Sequence, residues 1–74
     1  MVSIPVETET IRLSQLLKLA NLVQDGSEAK FRIANKEVRV NGVLETRRGR
    51  KLRIGDRVEF GDGTYVVVAF NTSP

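Results

Sequence analysis

Histidine and cysteine are both absent from the 74 residues. Their absence removes the commonest general base, the commonest metal ligand and the strongest nucleophile at neutral pH. A zinc site, a thiol enzyme and a histidine-based triad are thereby excluded, and no cofactor is expected. Without cysteine there are no disulfides, which fits a reducing cytosol and a cytoplasmic location. Aromatics are scarce, and Phe31, Phe60, Tyr65 and Phe70 lack the paired spacing of a platform that stacks successive bases. No apolar run approaches the roughly 18 residues that span a bilayer, the longest being Tyr65 to Phe70. The amino terminus has no basic start followed by an apolar stretch, so no secretory signal is expected and the chain reads as soluble. Six Gly and two Pro are too few for a collagenous or low-complexity chain.

What is present is 41% hydrophobic and 28% charged residues, read as one globular domain over residues 1–74 with a core at about 11–68 and a frayed tail at 71–74. A chain this short buries only about 60% of its unfolded surface, so the core is expected to be thin and a deep cofactor pocket is not. Twelve bases against nine acids give a net charge of +3, a mild figure that hides an asymmetry. Nine bases (Lys30, Arg32, Lys36, Arg39, Arg47, Arg48, Arg50, Lys51, Arg53) stand between positions 30 and 53 with only Glu37 and Glu45 as acids. The rest of the chain holds three bases and seven acids. One face should therefore collect anions, the electrostatic footprint of a nucleic-acid binder. Five bases within Arg47 to Arg53 repel one another in the free protein and are a poor choice for solubility alone.

Along the chain, Val2, Ile4 and Val6 alternate with polar residues and Pro5, which predicts a half-buried strand at a sheet edge. Leu13, Leu16, Leu17 and Ala20 recur at helical spacing within Ile11 to Val23, giving one apolar stripe. Asp25 with Glu28 reads as a capping box that opens a second helix running to about Asn35, with Ala29 and Ile33 toward the first helix. From Glu37 the period becomes two. Val38 and Val40 point inward, and Asn41-Gly42 signals a type I′ hairpin turn. The segment Glu45 to Lys51 is too charged for a core and is read as a loop or irregular strand, with Gly49 letting it turn, after which Leu52 and Ile54 return to the interior. Gly55-Asp56 marks a tight turn, and Arg57 to Phe60 and Thr64 to Phe70 form a last hairpin around Gly61-Asp62-Gly63.

Nothing in this pattern suggests catalysis. The nine carboxylates fall at turns, helix starts or exposed positions, and no spacing brings two into an apolar cleft where a pKa would be raised. Ser14 and Ser27 have no histidine partner. Gly61-Asp62-Gly63 joins strand to strand and lacks the helix start of a phosphate loop. No turnover is expected.

The order of features is specific. A helix around Leu16-Leu17-Lys18-Leu19-Ala20 is followed by a break and a short helix containing Glu28-Ala29-Lys30. Then come the Val38-Arg39-Val40-Asn41-Gly42 hairpin, the basic loop Glu45-Thr46-Arg47-Arg48-Gly49-Arg50-Lys51, and Arg53-Ile54-Gly55-Asp56-Arg57-Val58. This order resembles the alpha-L motif, the RNA-binding domain named after the fourth small-subunit ribosomal protein, and within it the small stand-alone bacterial YbcJ/YaaA-like group. The resemblance covers about Ile11 to Val68. It implies an α+β fold with two short helices packed on a small, bent antiparallel sheet, and RNA lying against the second helix and the first hairpin. It further implies binding of structured RNA, with ribosomal RNA and a ribosomal subunit or its precursor as the partners; the chain itself is expected to be a monomer. The chain carries Asn21 where many relatives have Gly and Glu28 where many have Arg, which shifts weight to Lys30 and the basic loop.

Arginine offers phosphate a planar fork and also stacks on bases, so Arg47, Arg48 and Arg50 suit a folded RNA. Their side chains are expected to be solvated. Lys30, Lys51 and Arg39 add point charges at the rim, followed by Lys18 and Arg53. Arg12 and Arg57 lie outside the basic segment and are expected to matter little. Two rivals stand beside RNA binding: a protein-interaction module docking an acidic partner, and a DNA binder. The second is disfavoured because neither helix is both long and basic enough to read a major groove.

Overall fold

The computed structural model describes residues 1–70, so the tail expected at 71–74 lies outside the described residues. Nine elements follow one another: β1 (Val2–Val6), β2 (Thr10–Arg12), α1 (Leu13–Leu19), α2 (Gly26–Ala34), β3 (Val38–Val40), β4 (Val43–Leu44), β5 (Lys51–Arg53), β6 (Arg57–Phe60) and β7 (Gly63–Ala69). Five strands form one sheet in the order β1, β7, β6, β3, β4, while β2 and β5 pair as a separate antiparallel ladder. This is the α+β architecture that the sequence predicts, with one refinement. The sheet is antiparallel except at its edge, where β1 runs parallel to β7 with Val2 beside Tyr65 and Val6 beside Ala69. No hairpin joins these two strands, so no turn dictates their direction. Pro5 sits on that edge strand, where its missing N–H costs least.

The core is thin and drawn from helices and strands alike. Leu13, Leu16 and Leu17 of α1, Ala29 and Ile33 of α2, Val38 and Val40 of β3, Leu52 of β5, Val58 of β6 and Val67 of β7 are all buried. Truncating one of the leucines or the isoleucine to Ala removes about 2–5 kcal/mol, a large share of the roughly 4–11 kcal/mol that a chain of this length possesses. Ile54 is a correction: it is 47% exposed. Strand β5 ends at Arg53, and Gly55 at φ 96° turns the chain there, with Asp56 N–H donating to the Arg53 carbonyl at 3.0 Å, so the alternation that buries Leu52 stops short of Ile54.

Both helices stop in the same way. After α1, Asn21 lies at φ 59°; its N–H donates to the Lys18 carbonyl and that of Leu22 to the Leu17 carbonyl, both at 3.0 Å. After α2, Lys36 lies at φ 63°; its N–H donates to Ile33 and that of Glu37 to Arg32, both at 3.2 Å. These paired bonds are Schellman motifs, in which the left-handed residue satisfies the helix's last carbonyls and is most often glycine. Asparagine tolerates that conformation, which accounts for Asn21. Lysine does not, so Lys36→Gly is expected to raise stability by about 0.5–1 kcal/mol and the melting midpoint by several degrees. A thermal melt showing no gain would mean that the Lys36 backbone carries no strain.

Two turns are stapled to each other. Asn41 and Gly42, at φ 52° and 82°, form the tight hairpin turn between β3 and β4. The Asn41 amide Nδ2 donates to Asp56 Oδ1 at 3.1 Å, and its Oδ1 accepts from the Arg57 N–H at 2.9 Å. Asp56 Oδ2 in turn accepts from the Arg53 N–H at 2.9 Å. Both side chains are therefore structural.

Candidate nucleic-acid interface

The basic loop is organised by an acid. Glu45 follows β4, its N–H donating to the Val38 carbonyl at 3.0 Å, and its side chain turns inward with 6% of the residue exposed. Carboxylate Oε2 accepts from the backbone N–H groups of Thr46 and Arg47 and from Arg47 Nε, each at 3.0 Å. Oε1 accepts from Arg47 Nη2 at 3.2 Å and from Arg50 Nη1 at 2.8 Å. The hydrogen bonds from Arg47, then those from Arg50, hold the Glu45 carboxyl at about 2, well below its ordinary 4.5, although burial pushes the other way. Arg47 is correspondingly raised by Glu45.

Two expectations are thereby corrected. Glu45 is no exposed loop acid. Arg50 is not freely solvated, its side chain being 33% exposed and spent on Glu45, whereas Arg47 remains 73% exposed while sharing the same carboxylate.

The loop is also fastened to the first helix. The first amides of an α-helix have no partner within it. Here the N–H of Leu13 donates to the Arg50 carbonyl at 2.8 Å, and that of Ser14 to the Arg48 carbonyl at 3.1 Å. Loop carbonyls thus cap α1, and the loop's backbone is pinned beside the helix start.

That attachment creates an open groove of about 680 Å³, lined by Arg12, Ser14, Asp25, Gly26, Ser27, Lys30, Arg48 and Gly49. Three cations reach it from three elements: Arg12 from the end of β2, Lys30 from α2 and Arg48 from the loop. The one acid is occupied locally, since Asp25 Oδ1 accepts from the Glu28 N–H at 2.8 Å as the N-cap of α2. Glu28 Oε1 meanwhile accepts from the Gln24 N–H at 2.8 Å, one residue upstream of a standard capping box. Lys51 stands directly across the β2–β5 ladder from Arg12, so both project from one face of it, while their neighbours Ile11 and Leu52 pack into the core. Arg12, Lys30, Arg48 and Lys51 make no ion pair among the described residues. A concave, basic surface of this kind has the charge and shape to suit phosphate groups at irregular spacing.

A family model described as S4 domain matches residues 4–68. The chain belongs to the S4 domain family. "Probable ribosome maturation protein RlbA" of Bacillus subtilis (strain 168) is 48% identical over 66 residues, 88% of this chain and 93% of the relative. "Putative RNA-binding protein YbcJ" of Escherichia coli (strain K12) is 39% identical over 59 residues, 80% of this chain and 84% of the relative. The resemblance carried by the helix, hairpin and basic-loop motifs is borne out.

This S4 domain gathers only part of the basic set named from the sequence. Lys30 and Arg48 share the groove and Lys51 flanks it. Lys18 lines a separate hollow with Asn21, Leu22, Val23, Gln24 and Glu28. Arg39 is exposed on β3 in register with Glu59 and Leu44, and Arg53 lies opposite Thr10 beside Glu9 and Ile54. Arg32 is held by Glu37 at 3.0 Å and Glu28 at 3.5 Å.

Arg12, set aside on the sequence, is the residue the sequence reading missed. Its strand has three residues and runs straight into α1, so it reads as part of the helix. The available signal was the matching pattern of Thr10-Ile11-Arg12 and Lys51-Leu52-Arg53, each a central apolar residue between polar ones.

Proposed function

We propose that this chain is a non-catalytic, cytoplasmic RNA-binding protein that docks on folded ribosomal RNA during ribosome maturation. The observation that carries this reading is the convergence of Arg12, Lys30 and Arg48 from three separate elements on one groove, with Lys51 at its side. Membership of the S4 domain family and the printed names of the two relatives support it. The work done is recognition. Guanidinium forks and an ammonium fix the positions of phosphates along a bent backbone, so selectivity arises from RNA shape more than from base edges.

Four free cations set the expected salt response. With about 0.7–0.9 counterions released per phosphate contact, log K against log salt should fall with a slope of roughly −2.8 to −3.6, an affinity loss of about a hundredfold between 50 and 200 mM salt. The test is a filter-binding titration of a folded ribosomal RNA fragment and of the same fragment heat-unfolded. Tighter binding to the folded form with that slope is expected. A slope near zero, or equal binding to both forms, would overturn the reading.

A further inference from the structure

Phe31 neighbours Lys30 in sequence and has no role in the reading above. It is 61% exposed on α2, whereas the other large apolar residue of that helix, Ile33, is fully buried. At helical spacing Phe31 lies one position from Lys30 and one turn beyond Ser27, and both of those residues line the groove. The exposed ring therefore stands outside the groove lining, on the helix flank away from the core and one turn from Ser27. Its neighbours three and four residues away on the helix are Ser27, Glu28, Ala34 and Asn35, so this stretch of helix surface offers a single ring of apolar area. One ring falls far short of the apolar centre that a protein interface requires. It matches the face of one nucleobase.

We propose that Phe31 stacks on one unpaired base of the bound RNA, whose flanking phosphates lie in the groove. The proposal rests on the RNA-binding reading and names what that site selects: a bulge or a loop nucleotide beside a duplex. Every base has a π face, so the base itself is not distinguished; its being unpaired is. Phe60 and Tyr65 pack against the core, so Phe31 fits a single stacked base and not a run of them.

The test uses an RNA duplex with one bulged nucleotide and the same duplex without it. The wild-type protein is expected to bind the bulged duplex about tenfold more tightly, as one base–aromatic stack provides. Phe31→Leu keeps the apolar bulk, loses the π face, and should bind both duplexes equally with an unchanged salt slope. Phe31→Trp should keep the preference. Because the chain has no other tryptophan, its emission should be quenched by the bulged duplex alone.

Lys30→Ala, by contrast, should weaken both duplexes alike and lower the salt slope by about 1. A wild-type preference that survives in Phe31→Leu, or no wild-type preference, would overturn the stacking. If Lys30→Ala also leaves both affinities untouched, the RNA-binding reading fails and takes the stacking with it.

Discussion

Reversing the three groove cations together, as Arg12→Glu, Lys30→Glu and Arg48→Glu, should weaken binding to a folded ribosomal RNA fragment by at least about a thousandfold at 150 mM salt. Each lost contact is a charge-assisted hydrogen bond worth about 1.5 kcal/mol or more, and three of them exceed the roughly 4.2 kcal/mol that corresponds to that factor. All three side chains are exposed and outside the core, so the melting midpoint should move little. The matched control reverses Lys18, Arg39 and Arg53, which changes the net charge by the same amount away from the groove. Screening at that salt acts over about 8 Å, so the control should cost about fivefold or less. Equal losses in the two triple variants, measured by filter binding, would show that diffuse charge holds the RNA.

Glu45→Ala should be the most damaging change to a charged residue. It strips two arginines and two backbone amides of their acceptor at once, at about 2–3 kcal/mol, and for a chain of this size the melting midpoint should fall by roughly 10 °C or more. The sign of the pH response follows from the lowered pKa. A carboxylate held at about 2 in the folded chain and 4.5 when free contributes its full stabilisation above about pH 4.5 and loses it as pH falls towards 2. Wild-type stability should drop across that window, and the drop should be smaller in Glu45→Ala. Its RNA affinity at neutral pH should fall as well, although Glu45 lies outside the groove, because Arg48 is placed by the backbone of the loop that Glu45 holds. Unchanged melting and unchanged acid sensitivity in denaturation monitored by circular dichroism would remove Glu45 from this role.

These two variants divide what was legible in the sequence from what was not. Elements with a repeating apolar pattern were readable: Leu13, Leu16 and Leu17 mark α1, Ala29 and Ile33 the inner face of α2, and Asn41-Gly42 the hairpin. Lys30 and Arg48, which line the groove, were named from the sequence as well: both belong to the basic segment, and the resemblance shifts weight to Lys30 and the basic loop.

Features that depend on a particular partner, and not on a repeating apolar pattern, were hidden. Strand β2 has three residues and exists because β5 lies across from it, so Arg12 looked like helix. Glu45 looked like one more charged loop residue, because its burial depends on two arginines folding back over it within a five-residue span. Counting bases therefore overestimated the loop's free charge. Arg50 is consumed internally, Arg47 is shared, and Arg12 supplies what they do not.

The parallel pairing of β1 with β7 also has a consequence for how the chain reaches its fold. Val2 pairs with Tyr65, almost the full length of the described chain away. By contrast, the groove is built from residues 12–49, and the hairpin from residues 38–44. Loop closure over short separations is fast and over long ones slow. The closures that build the groove are therefore shorter than the one that docks β1. During synthesis β1 must wait, unpaired, until β7 has emerged, with Ile4 and Val6, both buried in the finished fold, in contact with water. Pro5, placed between those two residues, interrupts the hydrogen-bonding edge that would otherwise recruit a strand from another nascent chain.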